Sequence, residues 1–184
     1  MSPYKIIPYI QHHESCIDSL NLMDIVEDTT VDGPGFRTSI YAAGCPHACL
    51  SCHNPQSWNP DNGHKVSFDT IMQVIQNNPV ANVTFSGGEP FAQAAGFTAL
   101  ARQIKEKTNK TIWCYTGYRY EFLIQYPLFR KLLSNIDVLV DGPYVAAKRD
   151  EALLFRGSSN QRILELTKSL SFVPHSYLVP ESAT

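Results

Sequence analysis

The sequence predicts an α/β fold in which mostly parallel strands are covered by helices. Short apolar, β-branched runs alternate with segments of helical periodicity along the 184 residues, an order typical of parallel sheets. The length suits a single domain and is too short for a complete eight-stranded βα barrel, which needs about 200 residues. The two architectures that this length allows are an open sheet and an incomplete barrel. In both, ligands bind at the carboxyl ends of the strands.

The predicted elements follow a polar N-terminal extension over residues 1–21 and form a single domain over residues 22–184. Helices are expected after an N-cap at Ser67, from about Ala92, and from about Phe122, with Pro127 either weakening or splitting the third. The four predicted strands span residues 36–42, 82–86, 111–115 and 136–140.

Two further segments of the domain are predicted to be loops. The first covers residues 44–66 and is rich in Pro, Gly and Asn, and loops of this length are usually functional. The second covers residues 156–162 and is expected to lead into a helix at Ile163.

Composition and charge argue against several classes of function. Fifteen Lys and Arg against seventeen Asp and Glu give a net charge of −2, which disfavours a broad basic face for nucleic acid or a basic membrane-surface helix. No apolar run approaches the roughly 18–20 residues of a membrane span, and the N-terminus lacks the apolar core of a secretory signal. We therefore expect a cytoplasmic protein that binds neither nucleic acid nor membrane.

Three of the five cysteines form the pattern CxxxCxxC directly after the first predicted strand: Cys45, Cys49 and Cys52. An odd number of cysteines in a reducing compartment disfavours disulfides. Ferredoxin-type [4Fe–4S] clusters take four thiolates, so three would leave one iron free to bind a substrate. The same residues leave two alternatives open, a zinc site completed by His47 or His53 and a plain electron carrier.

A second motif, Gly87-Gly88-Glu89, follows the next predicted strand. Two glycines let the backbone approach a ligand closely, and the carboxylate of Glu89 can receive a cationic amine. Thr116-Gly117 and Asp141-Gly142 stand at the ends of the two strands after that. Because the carboxyl ends of parallel strands meet at one edge of the sheet, we expect a single site there.

CxxxCxxC followed by a Gly-Gly-Glu turn resembles the pattern of radical S-adenosylmethionine (radical SAM) enzymes. Residues 32–37 (DGPGFR) and 52–55 (CHNP) are similar to activases of glycyl radical enzymes in general. Residues 113–118, 138–142 and 156–162 resemble one family among them, the activating proteins of anaerobic ribonucleoside-triphosphate reductase. The resemblance extends over residues 24–166 and implies the incomplete βα barrel of the radical SAM type, with helices outside.

The resemblance also implies which residues bind the cofactors. The [4Fe–4S] cluster would be held by Cys45, Cys49 and Cys52. The S-adenosylmethionine (SAM) would be contacted by Ser51, Cys52, His53, Gly87, Gly88 and Glu89. Glu89 and the two glycines would receive the methionine amine, and the ring of His53 would stack on adenine. Asp141 stands where related activases place a polar contact to SAM. No side chain is predicted to act as a general acid or base.

The implied protein is a radical SAM oxidoreductase that cleaves SAM reductively and makes a glycyl radical on the large subunit of the reductase. A low-potential cluster needs an external reductant, so flavodoxin or ferredoxin is the expected electron donor. The alternative within this chemistry is an activase of the pyruvate formate-lyase type. The alternative outside it is a non-catalytic zinc-binding module.

Overall fold

The computed structural model describes residues 17–166 and folds them around one seven-stranded sheet. In chain order the strands are β1 (Ser19–Thr29), β2 (Arg37–Ala42), β3 (His64–Ser67), β4 (Asn82–Gly87), β5 (Ile112–Tyr115), β6 (Val138–Asp141) and β7 (Arg162–Glu165). Their order across the sheet is β3-β1-β2-β4-β5-β6-β7. The neighbours β2, β4, β5 and β6 run parallel, while β1, β3 and β7 pair antiparallel.

The four parallel strands confirm those predicted from the sequence, with ends that differ by no more than two residues. The antiparallel strands were not predicted. Strand β1 begins at Ser19, inside the segment assigned to an N-terminal extension, and buries Leu20 and Leu22 in the core. Strand β3 lies in the predicted long loop. The helix expected at Ile163 is wrong, because that residue belongs to β7 and pairs with Val140 of β6.

Four α-helices of the described residues connect strands: α1 (Phe68–Asn77) precedes β4, α2 (Ala94–Lys107) precedes β5, and α3 (Tyr120–Leu123) and α4 (Pro127–Leu133) precede β6. The predicted N-cap is confirmed, since the hydroxyl of Ser67 accepts the Thr70 N–H at 3.2 Å. The predicted split is confirmed too. Pro127, which has no N–H to donate, stands at the first position of α4 and not inside a longer helix.

The two faces of the sheet differ because successive side chains of a strand point to opposite sides. The helix-covered face carries an apolar row of five cross-strand neighbours, Ile40, Phe85, Cys114, Leu139 and Leu164. The opposite face carries a more polar row that includes Ser39, Thr84 and Trp113. The loop before β2 is fixed to that face, since Ser39 Oγ donates to the Asp32 carboxylate and Thr84 Oγ1 donates to the Asp32 carbonyl, both at 2.8 Å.

The sheet has two free edges, because β3 and β7 do not pair with each other within residues 17–166. The sheet is mixed, with three parallel and three antiparallel pairs of neighbouring strands, and the incomplete barrel of mostly parallel strands stays a prediction. In the same part of the chain, no helix combines the length and apolar character needed to cross a membrane.

Candidate cofactor site at the carboxyl edge of the sheet

The cysteine loop leaves the end of β2 and is fixed by the short 3₁₀ helix Pro55–Trp58. The Gly44 N–H donates to the Ser57 carbonyl at 2.8 Å, and the Cys45 N–H donates to the Trp58 carbonyl at 3.1 Å. Within the loop, Ala48 and Ser51 have φ of 45° and 60°. Left-handed backbone at residues other than glycine is strained, and such strain is typical of functional sites. Each of these two residues directly precedes a cysteine, so the strained turns set the directions of Cys49 and Cys52.

Backbone N–H groups lie near the cysteine sulfurs and favour their thiolate form. The backbone of His47 lowers the pKa of Cys45, and the backbone of Tyr144 lowers that of Cys49, each against a larger effect of burial. Asn54 donates to Cys52 Sγ at 3.4 Å. Hydrogen bonds of this kind favour the thiolate over the thiol, and in iron–sulfur proteins they tune the reduction potential of the cluster. The donor set therefore fits sulfurs that ligate iron as thiolates.

The three thiols influence one another electrostatically. The pKa of Cys45 is raised to about 12, mainly by burial and to a smaller extent by the charges of Glu89, Cys49 and Cys52, while the His47 backbone lowers it. Burial is also the main cause of the raised pKa of Cys49. Thiols with raised pKa values are poor nucleophiles, so this environment does not suit a catalytic cysteine. It suits metal ligation, because a bound metal displaces the proton from the thiol.

Two observations concern the zinc alternative. Between residues 17 and 166 no three His, Cys, Asp or Glu side chains are arranged to hold a single metal ion. The two proposed fourth ligands also have other contacts, His47 with Glu89 at 2.6 Å and His53 with the ring of Tyr144 at a centroid distance of 4.8 Å. In a [4Fe–4S] cluster each thiolate binds a different iron atom. The cysteine sulfurs therefore need to surround the cluster and do not need to meet at one metal ion.

The Gly87-Gly88-Glu89 turn lies directly against the start of the cysteine loop. The Gly88 N–H donates to the Ala42 carbonyl at 2.7 Å, and the Glu89 N–H donates to the Gly44 carbonyl at 2.9 Å. A Cβ on Gly87, which has φ of 92°, would lie 2.5 Å from the Ala42 nitrogen, and a Cβ on Gly88 would lie 2.5 Å from the Gly44 carbonyl oxygen. In this structure the two glycines therefore allow close approach of two protein backbones. Their predicted contact with SAM stays a prediction.

Glu89 is fully buried and accepts hydrogen bonds on both carboxylate oxygens. Oε1 accepts the Phe91 N–H at 3.0 Å, and Oε2 accepts the Gly117 N–H at 2.9 Å. Thr116 Oγ1 lies 2.9 and 3.0 Å from the two oxygens, and His47 Nε2 lies 2.6 Å from Oε2. Among residues 17–166, His47 is the sole ion-pair partner of this carboxylate, so no lysine or arginine neutralises it.

Asp141, at the end of β6, is also fully buried but has a different environment. Arg162 Nε donates to Oδ1 at 2.9 Å, and Arg162 Nη2 donates to Oδ2. The Tyr120 N–H donates to Oδ2 at 2.8 Å, and Arg119 Nη1 lies 3.8 Å from Oδ1. This carboxylate is therefore neutralised by the protein itself, and its geometry is that of a structural ion pair between β6 and β7.

The segment at 156–162, whose individual roles the sequence did not show, supports the loop after β6. Gln161 Nε2 donates to the Gly142 carbonyl at 3.2 Å, and Asn160 Nδ2 donates to the Pro143 carbonyl at 2.8 Å. The hydroxyl of Ser158 accepts the Val145 N–H at 3.2 Å. A Cβ on Gly157 would lie 3.1 Å from the ring of Tyr144. These small and amide side chains fix the position of Tyr144.

The structure brings most of the predicted site residues together at this edge. Glu89 contacts the cysteine loop through His47, and His53 lies exposed beside Tyr144. Ser51 is exposed on the same loop. Sequence reasoning missed His47 as a partner of Glu89, Thr116 as a second donor to it, and Tyr144. The sequence did indicate where Thr116 and Tyr144 lie, since both follow the carboxyl ends of predicted strands.

This fold and site define a small α/β protein with a site for a single iron–sulfur cluster, and a family model described as "4Fe-4S single cluster domain" matches residues 31–164. The chain is 34% identical over 154 residues to the anaerobic ribonucleoside-triphosphate reductase-activating protein of Haemophilus influenzae, with 78% of this chain and 97% of that protein covered. The protein of the same name from Pasteurella multocida is 33% identical over 159 residues, covering 81% and 99%. That from Enterobacteria phage T4 is 31% identical over 139 residues, covering 72% and 86%. The chain belongs to the family of anaerobic ribonucleoside-triphosphate reductase-activating proteins.

Proposed function

We propose that this protein is a radical SAM activase that makes a glycyl radical on the large subunit of an anaerobic ribonucleoside-triphosphate reductase. The observation that carries the proposal is the buried Glu89 carboxylate, which is hydrogen-bonded to the cysteine loop and has no lysine or arginine partner among residues 17–166. A buried carboxylate without a permanent cation is a suitable receptor for a ligand ammonium group.

Cys45, Cys49 and Cys52 are the residues that would hold the [4Fe–4S] cluster. When bound to these cysteines, the cluster would supply the one-electron reduction that cleaves the C5′–S bond of SAM into methionine and a 5′-deoxyadenosyl radical, the species that would take a hydrogen atom from the target glycine. The protein itself holds the reacting groups in position and excludes other hydrogen donors. Flavodoxin or ferredoxin would supply the electron.

The methionine end of SAM would bind beside Glu89, in the turn that the Ala42 and Gly44 carbonyls hold against the cysteine loop. The Glu89 N–H donates to the carbonyl of Gly44, the residue before Cys45, and this contact supports the arrangement. An ammonium group at Glu89 would then lie close to the cluster.

The nucleoside would bind beside His53 and Tyr144. Their ring centroids are 4.8 Å apart, and His53 directly follows Cys52 in the chain. Ser51 is exposed in the same loop and can contact the ribose or base. Flat rings beside an open loop suit a stacked adenine.

The experiment uses protein purified without oxygen, reconstituted with iron and sulfide, and reduced. We expect an EPR signal that changes when SAM is added, 5′-deoxyadenosine as a product, and a glycyl radical on added reductase. Cys49→Ala should lose the cluster, whereas the matched variant Cys114→Ala, which removes a buried cysteine of β5 away from the loop, should keep it. Bound zinc, or a cluster whose EPR signal does not change when SAM is added, would refute the proposal.

A further inference from the structure

The side chain of His47 extends from the cysteine loop to Glu89 and is closely packed. Its Nε2 lies 2.6 Å from Glu89 Oε2, and its ring meets the ring of Tyr118 edge-on at a centroid distance of 4.4 Å. The ring also lies directly over Gly117, where a Cβ would come within 2.4 Å of His47 Cδ2. The residue that follows Thr116 must therefore lack a side chain for the imidazole to fit.

The hydrogen-bonding capacity of Glu89 is filled by these contacts. An ionised carboxylate offers about four acceptor positions. Four groups donate to Glu89: the backbone N–H groups of Phe91 and Gly117, the hydroxyl of Thr116 and the imidazole of His47. A ligand ammonium group can bind this carboxylate closely only if one of those donors withdraws.

Three of the four donors are fixed by the fold. Two are backbone groups, and Thr116 is buried and also accepts the Tyr118 N–H at 3.1 Å. His47 is the exception, because it belongs to the strained loop between Cys45 and Cys49 and reaches Glu89 across 42 residues of sequence. The imidazole is therefore the donor that can leave.

We propose that His47 occupies the ammonium position at Glu89 before a ligand binds, and that the ammonium group of an amino-acid ligand displaces it. This inference rests on the proposed function and adds to it a positioning residue. Because His47 lies between two cysteines of the loop, its release links occupation of the amine position to the loop that carries the cluster ligands. The imidazole also keeps a buried carboxylate paired while the site is empty.

The test is the affinity of reconstituted protein for two probes, measured by isothermal titration calorimetry. S-adenosylhomocysteine carries the ammonium group, and 5′-methylthioadenosine carries only the nucleoside. Removing a competitor strengthens binding, so His47→Ala should lower the dissociation constant of S-adenosylhomocysteine by about tenfold and leave that of 5′-methylthioadenosine unchanged. His47→Gln keeps a donor and should remain near the wild-type value. His64→Ala, at an exposed position on β3, is the matched control and should change neither.

A second readout does not depend on affinity alone. Without ligand, His47→Ala should melt at a lower temperature than wild type, since Glu89 loses a donor, and S-adenosylhomocysteine should raise its melting temperature by more than that of wild type. Weaker or unchanged S-adenosylhomocysteine binding by both folded His47 variants would overturn this inference and leave the proposed function standing. If the wild-type protein binds neither S-adenosylhomocysteine nor 5′-methylthioadenosine, the proposed function is refuted instead.

Discussion

Glu89 and Asp141 are two buried carboxylates at the same edge of the sheet, yet they have opposite electrostatic environments. Each ends a parallel strand or begins the turn after it, and each is fully buried. Asp141 faces the guanidinium of Arg162 through two hydrogen bonds, with Arg119 at 3.8 Å. Glu89 faces backbone N–H groups, a hydroxyl and an imidazole.

The difference shows how one edge can combine structural and functional carboxylates. A buried charge must be paired, and Asp141 is paired permanently by a side chain of β7. Among residues 17–166 Glu89 has no arginine or lysine partner, so an ammonium group that takes the place of the imidazole can complete its pairing. Burial and position in the sequence do not distinguish the two residues. The identity of their partners does.

The largest expected effect is on ligand binding. Glu89→Gln replaces the carboxylate by a neutral amide of the same shape, so we expect SAM affinity to fall by about 100-fold, in line with the loss of a charged hydrogen bond in a buried site. Asp141→Asn should change the affinity far less. Equilibrium binding of SAM to reconstituted, folded samples measures both, and an equal loss for the two variants would show that the carboxylates do not differ in function.

The next largest effect is on the free energy of unfolding, where we expect Asp141 to matter more than Glu89. Asp141→Asn leaves Arg162 without its buried partner, and we expect the free energy of unfolding to fall by about 2 to 3 kcal/mol, toward the low end for buried pairs because the Arg162 side chain is 36% exposed. Denaturant unfolding of the protein measures this change, with the exposed Asp61→Asn as the control. A loss below about 0.5 kcal/mol, the range of ordinary surface substitutions, would show that the pair is not structural.

The smallest expected effect is on stability and concerns the exposed ion pair between Arg162 and Glu121. Arg162 Nη1 and Nη2 donate to Glu121 at 2.9 and 2.8 Å, and the Arg162 hydrogen bond lowers the pKa of Glu121 below its ordinary 4.5. Because the folded pKa is depressed, the pair stabilises the fold above about pH 4.5 and the contribution disappears as the pH falls through the lower folded value.

Glu121→Gln should therefore cost less than about 1 kcal/mol near neutral pH, since Glu121 is 61% exposed and screened by solvent. The difference in unfolding free energy between wild type and variant, followed from pH 7 down to pH 3, should shrink toward zero. A difference that stays constant over this range would assign the effect to packing and not to charge.

The parallel strands were predictable because each is a short apolar run that ends at Gly or polar residues. Strand β7 was not, since its four residues fit a helix or a strand equally well, and pairing with β6 decides the outcome. Strand β1 was missed because only its first half is buried, where Leu20 and Leu22 face the core, and its remaining residues are largely exposed.

Within the candidate site, local sequence indicated the CxxxCxxC loop and the Gly-Gly-Glu turn. The glycines were predicted to approach a ligand, and the structure shows them against the backbone of Ala42 and Gly44. The reason is that sequence identifies a position that excludes a side chain, whereas only the folded chain shows which atoms take that space.

The sequence by itself determined the alternation of strands and helices, the three cysteines on one loop and the carboxylate in the next turn, because these depend on residues close together in the chain. The tertiary structure decided the partner of each carboxylate. His47 reaches Glu89 across 42 residues, and Arg162 reaches Asp141 across 21. Such pairs are set by how the strands align in the sheet, so the contrast between a carboxylate without an arginine or lysine partner and a neutralised one becomes visible only in the folded protein.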